Sequence, residues 1–121
     1  MKTIEYIENV VCAGEKIEPI ELHTPSQKRD ICNYRQLVMT LAQEFGNTQE
    51  EAGKYFNRDH ATAYSSKNAI SNLYDTDKTW QIKIDLYRRL IRSDKIYDMF
   101  QRKESKIVIL MTNKEFECDV I

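Results

Sequence analysis

Glycine is scarce in this 121-residue chain: there are three, and none lies in a phosphate-cradling loop. Histidine is scarcer still, only His23 and His60, and no paired-histidine zinc motif occurs. Three cysteines, Cys12, Cys32 and Cys118, are odd in number, far apart and never in a CxxC pair, which excludes a disulfide framework and a zinc ribbon. They read as reduced, buried thiols. No apolar run approaches the roughly 18 residues that span a bilayer. The opening "MKTIEYIENVV" carries Glu5 and Glu8 within its apolar spacing, unlike a signal-peptide core. A cytoplasmic protein without metal or cofactor is expected.

An excess of one charge is also lacking. Lys and Arg number 18 against 19 Asp and Glu, a net −1, but the charge is unevenly spread. Residues 1–22 hold two lysines against five glutamates. Residues 78–103 hold eight bases against Asp85, Asp94 and Asp98, a net +5.

Helical spacing dominates the first hundred residues. Ile4, Ile7, Val10 and Val11 predict an amphipathic helix over 3–13 that stops near Gly14, and Pro19 opens a short turn of helix at 18–22. "HTPSQKRDICN", residues 23–33, has no periodicity and reads as a loop. Leu37, Val38, Leu41, Ala42 and Phe45 predict a helix over 34–45, stopped by Gly46-Asn47. Thr48 and Glu51 make a capping box that opens a short helix with Ala52, Tyr55 and Phe56 on one face.

After a tight turn at Asn57-Arg58, a helix from Asp59 to about Tyr74 follows, buried along Ala63, Ile70 and Leu73. Two helices so joined are a helix-turn-helix. Asp77 caps a helix over 78–91 with two apolar stripes, so its second side needs a cover; the rest of the chain is the candidate. Ser93 caps a helix over 94–103, with Ile96, Met99 and Phe100 inward. "KIVILM" (106–111) and the alternating "EFECDVI" (115–121) predict a β-hairpin across "TNK". The fold class is mainly α, a bundle of five to six helices with a short C-terminal hairpin. Residues 1–93 form the helix-turn-helix domain and 94–121 an extension.

"NRDHATAYSSK" (57–67) raises the functional question. Consecutive helical residues point about 100° apart, so Asp59 is badly placed to orient His60 for acid–base work, and no nucleophile–base pair can be assembled; the protein is not expected to be an enzyme. Ala61, Ser65 and Asn68 share one exposed, thin face, suited to close approach in a DNA major groove. Asp59, His60 and Thr62 stand at the helix start, where recognition helices read bases. An N-cap aspartate, a solvent-exposed histidine and a helix that tolerates serine explain the same residues equally well.

"RDHATAYSSKNAI", preceded by "EEAGKYFN" and "NYRQLVMTLAQEF", resembles the signature of the C-terminal DNA-binding domain of the bacterial replication initiator DnaA. "TIEYIENVV", "KIEPIEL" and "DKTWQIKIDLYRRL" extend the likeness over about residues 3–91. The resemblance implies a Trp-repressor-like helix-turn-helix fold and binding to a short A·T-rich duplex site. It implies major-groove contacts from Arg58, Asp59, His60, Ala61, Thr62 and Ser65, and phosphate contacts from Arg35, Gln36 and Lys67. Lys28 or Arg29 would enter the minor groove. Ala61 replaces the family's first threonine, and Asn57 stands where the family has two glycines.

With no Walker-type loop in the sequence, a stand-alone relative without ATPase activity is expected, one that regulates replication or transcription. The alternative is an interaction module that keeps the fold and binds protein, or its own copy, through the 78–91 helix or the C-terminal extension.

Overall fold

The computed structural model of the protein describes residues 2–26 and 28–102, and among these it contains seven helices. They are α1 (Ile4–Glu15), α2 (Pro19–Leu22), α3 (Arg29–Glu44), α4 (Gln49–Tyr55), α5 (His60–Thr76), α6 (Lys78–Arg92) and α7 (Asp94–Gln101). Five helix starts carry side-chain caps from residues chosen for that chemistry: Thr3, Thr48, Asp59, Asp77 and Ser93 each accept from a backbone N–H of the first turn. The capping box at Thr48 and Glu51 is formed in both directions. The hairpin expected at 106–121 lies outside the described residues.

Two helix boundaries differ from those the sequence suggests. α1 runs past Gly14, and Lys16 takes the left-handed C-cap position at φ 59° while Ile17 N–H donates to the Cys12 carbonyl. α3 begins at Arg29 rather than 34, because Ile31, Tyr34 and Val38 continue its inner face by one further turn. Gly46, at φ 105°, and Asn47 end α3 as expected; the Asn47 amide donates to the Ala42 and Lys2 carbonyls and so ties that stop to the N-terminus.

α3 is the centre of the core, with Leu37, Val38, Met39, Leu41 and Ala42 all buried; α1, α4 and α5 lie against it. α6 packs on α1 and α5, burying Ile84, Tyr87 and Ile91. Its second stripe is largely covered too: Leu86 and Leu90 are buried, while Ile82 remains 53% exposed. α7 takes part in that cover through Ile96, and Tyr97 and Phe100 pack on the Tyr6 ring at 4.7 and 5.4 Å. The Tyr6 hydroxyl donates to the Leu90 carbonyl at 3.1 Å, joining the Ser93 N–H on that end carbonyl of α6 and tying α1 to it.

Several of the acids of the N-terminal segment turn inward. Glu15 accepts from Lys83 Nζ at 2.7 Å and the Tyr87 hydroxyl at 3.0 Å, joining α1 to α6. Glu8, only 3% exposed, accepts from the Tyr55 hydroxyl at 2.8 Å and meets His23 Nε2 at 2.7 Å. Burial pushes the Glu8 carboxyl up, with a smaller upward push from Glu5, against the downward pull of Tyr55 and His23.

A carboxyl whose folded pKa is raised binds its proton more tightly folded than unfolded, so its contribution to stability is complete below the ordinary value of about 4.3 and declines as pH rises toward the folded value. Glu8→Gln is expected to flatten that decline. Parallel urea melts of wild type and variant between pH 4 and 7 check it: their stability difference must change in the variant's favour with rising pH, by at most about 1.4 kcal/mol per unit.

Candidate nucleic-acid interface

α4 and α5 are joined by the tight turn at 56–59, and both rest on α3. Asn57 adopts φ 57°, the left-handed region that asparagine enters more easily than most residues. It does so beside a close approach. Arg58 N–H donates to the Gly53 carbonyl at 2.8 Å, and a Cβ built on Gly53 would stand 2.5 Å from the Asp59 carbonyl oxygen and 3.0 Å from that of Arg58. Only a residue without a side chain lets the α5 start lie this close to α4. The glycine was visible in "EEAGKYFN"; the backbone it meets was not.

Asp59 is the N-cap of α5. Its Oδ1 accepts from both the Thr62 N–H and the Thr62 hydroxyl, each at 2.9 Å. Those two hydrogen bonds hold the exposed Asp59 carboxyl below its usual pKa. The carboxylate is thus directed along the helix start at Thr62, not at the His60 ring, and the Thr62 hydroxyl is engaged while its methyl is the group left to offer. Gln49 donates to the His60 carbonyl at 3.4 Å, and Gln43 to the Ala63 carbonyl at 3.2 Å, fastening the first turn of α5 to α4 and α3. Ala63, Ser66 and Ile70 are buried beneath it, and the Ser66 hydroxyl donates back to the Thr62 carbonyl. The outer face carries His60, Ala61, Ser65, Lys67 and Asn68, all exposed.

The other candidate residues have different surroundings. Arg58 is half-buried and donates Nη1 to the Phe56 carbonyl, within the turn. Gln36 is half-buried on α3, and Lys28 and Arg29 are exposed at its start. Arg29 and Asp30 line a cleft with Asn72, Leu73 and Trp80, so the first turn of α3 lies beside the C-terminal half of α5.

Arg35 departs from the expectation of a surface phosphate contact. It is 5% exposed and donates Nε to the Leu22 carbonyl at 2.8 Å and Nη2 to the Thr24 carbonyl at 3.0 Å. Burial first, then the neighbouring Arg58 charge, lower its pKa from the ordinary arginine value. Its fork pins the chain segment that leads toward the start of α3. Among the described residues no group of three His, Cys, Asp or Glu side chains is arranged to hold a metal, and no helix is long and apolar enough to cross a membrane.

Two capped helices meeting across a glycine-dependent tight turn, the second with its outer face bare, define a helix-turn-helix protein. The family model described as "Bacterial dnaA protein helix-turn-helix" matches residues 4–70, and the chain belongs to that family. Its relatives include the chromosomal replication initiator protein DnaA of Bacteroides thetaiotaomicron, 30% identical over 92 residues, covering 74% of this chain and 20% of that protein. The DnaA of Gluconobacter oxydans is 30% identical over 91 residues (74% and 19%), and that of Ehrlichia ruminantium 32% over 94 residues (74% and 20%). The chain therefore spans about a fifth of the length of these relatives. No solved structure matches it.

Proposed function

We propose that this protein binds double-stranded DNA sequence-specifically, with α5 in the major groove. The observation that carries the reading is the outer face of α5: its first two turns are exposed and mostly small or polar, while the opposite face is locked onto α3 and α4. An α-helix fits the major groove, and its N-terminal residues meet the base edges. His60 can donate to purine or thymine acceptors, the Ala61 and Thr62 methyls can pack on a thymine methyl, and the free Asp59 oxygen can accept from a cytosine amino group.

Lys67 and Gln36 serve phosphates, Arg58 stands beside the major-groove residues, and Lys28 or Arg29 probes the minor groove beside the C-terminal half of α5. Arg35 contributes by holding the 22–24 segment in place. A family whose members are named replication initiators suits a short A·T-rich site and control of replication or transcription by occupying such sites.

The test is fluorescence anisotropy with duplexes selected from random DNA. Wild-type affinity should fall steeply between low and physiological salt, because each phosphate contact releases counterions. His60→Ala should erode discrimination between selected and altered sites by about 1–3 kcal/mol. Lys67→Ala should weaken all duplexes alike and lower the salt slope by about one. No binding to any duplex at low salt refutes the proposal; equal behaviour of the two variants refutes the division between base and phosphate contacts.

A further inference from the structure

Among the described residues three large apolar side chains stand exposed, Ile20, Tyr64 and Ile82, and only Tyr64 lies on α5. It is 57% exposed in the second turn of that helix. No hydrogen bond from the described residues holds its hydroxyl, and its helical neighbours His60, Ala61, Lys67 and Asn68 are themselves exposed, leaving the ring open to solvent. A phenol held in the open on this exposed, mostly polar face has the form of a contact group for another molecule.

Helical geometry says which part of that molecule. At about 100° per residue, Ala61, Ser65 and Asn68 form one stripe down the middle of the exposed face, and Tyr64, Lys67 and Ser71 form a second stripe about 90° to its side, with His60 at the head of that side, where the helix start reaches the base edges. All six are exposed or, for the central stripe, short. The cleft that Arg29 shares with Ala69 and Leu73 lies on the other side of the central stripe. A helix presenting the central stripe to the floor of a groove about 12 Å wide therefore turns Tyr64 and Lys67 toward one wall, and in DNA the walls are sugar and phosphate. The chemistry agrees, since all three residues of the lateral stripe end in a hydrogen-bond donor, as phosphate oxygens require.

We infer that Tyr64 is a positioning residue for DNA: its hydroxyl donates to a single backbone phosphate beside Lys67, and its ring lies on the adjoining sugar, fixing the register of α5 in the groove. This inference rests on the DNA-binding reading and adds to it a residue and a contact.

The test uses the full chain and a duplex selected from random DNA, measured by fluorescence anisotropy. Tyr64→Phe removes one hydroxyl from an exposed position, so its thermal melt should match wild type. Its affinity should fall about tenfold on the selected duplex and by a similar factor on a duplex with altered bases, as for a hydrogen bond to a charged acceptor. Replacing the phosphates one at a time with neutral methylphosphonates should reveal one linkage at which wild type and Tyr64→Phe bind alike. Unchanged affinity of Tyr64→Phe, or additive losses at every linkage, overturns the inference. So does a Tyr64→Ala loss that vanishes when thymine is replaced by uracil, which would make Tyr64 a reader of a base methyl. Absence of wild-type binding overturns the DNA reading itself, whereas the other outcomes overturn only the role of Tyr64.

Discussion

Gly53→Ala is expected to destabilise the protein by about 2 kcal/mol, lowering its melting temperature by roughly 10 °C, and to weaken DNA binding at temperatures where the variant is still folded. Two effects compete. Alanine in a helix interior is favoured over glycine by about 1 kcal/mol. Against it, the added methyl would stand 2.5 Å from the Asp59 carbonyl oxygen, and that atom cannot rotate aside as a side chain can.

Relief requires the α5 start to move away from α4. That stretches the Arg58 N–H to Gly53 carbonyl bond, disturbs the left-handed turn at Asn57 and tilts the cap at Asp59. Overpacking of this kind costs about 1–3 kcal/mol and more where backbone must shift, so the clash outweighs propensity. The affinity loss should exceed what the unfolded fraction accounts for, because His60, Ala61 and Thr62 ride on the displaced turn. A thermal melt equal to or above wild type would show that the approach of the two helices is looser than described.

Arg35→Lys is the second large expected effect, and it separates two roles that the sequence cannot distinguish. If Arg35 acted at the surface through its charge, lysine would preserve most of it. Here the guanidinium serves two backbone carbonyls in different directions from a buried position, a geometry a point ammonium cannot reproduce. The Leu22 carbonyl, buried with its residue, loses its donor, at a cost of about 1–3 kcal/mol. Arg35→Lys should therefore lose about 2 kcal/mol in urea melts, with Arg35→Ala losing more. Binding should weaken in both variants with little change in salt slope, since no direct phosphate contact is removed. A stable Arg35→Lys whose salt slope falls would restore the surface role.

What was legible in the sequence was what depends on neighbours along the chain. The capping box at Thr48 and Glu51, the Asp59, Asp77 and Ser93 caps and the apolar stripe from Leu37 to Phe45 all formed, since each needs only residues within two turns. The additional turn of α3 was missed because Pro25, Ser26 and two adjacent bases resemble loop composition, although Ile31, Tyr34 and Val38 already carried the helical spacing. The glycine rule for helix ends placed the α1 stop at Gly14, but the chain turns at Lys16.

The motif of the candidate site was legible as a motif; the surroundings of its residues were not. Nothing local in "NYRQL" announces that Arg35 faces carbonyls 11 and 13 residues earlier, and nothing in "EEAGKYFN" announces the oxygen that Gly53 must clear. Tyr64 does not stand out in the sequence, because a lone aromatic in a helix usually belongs to the core and only its exposure says otherwise.

The Tyr6 ring limits how the molecule can be divided. It lies between Tyr97 and Phe100 of α7 while its hydroxyl closes the end of α6, so the first helix of the chain and the last described one share a single keystone. Likeness to relatives runs out before this point, at residue 70 for the family model. A fragment trimmed to residues 4–70 would keep the turn and the first turns of α5, yet leave that keystone without its flanking stones and with water against its ring. The smallest piece that can be cut out intact is set by packing and is longer than the piece that can be recognised.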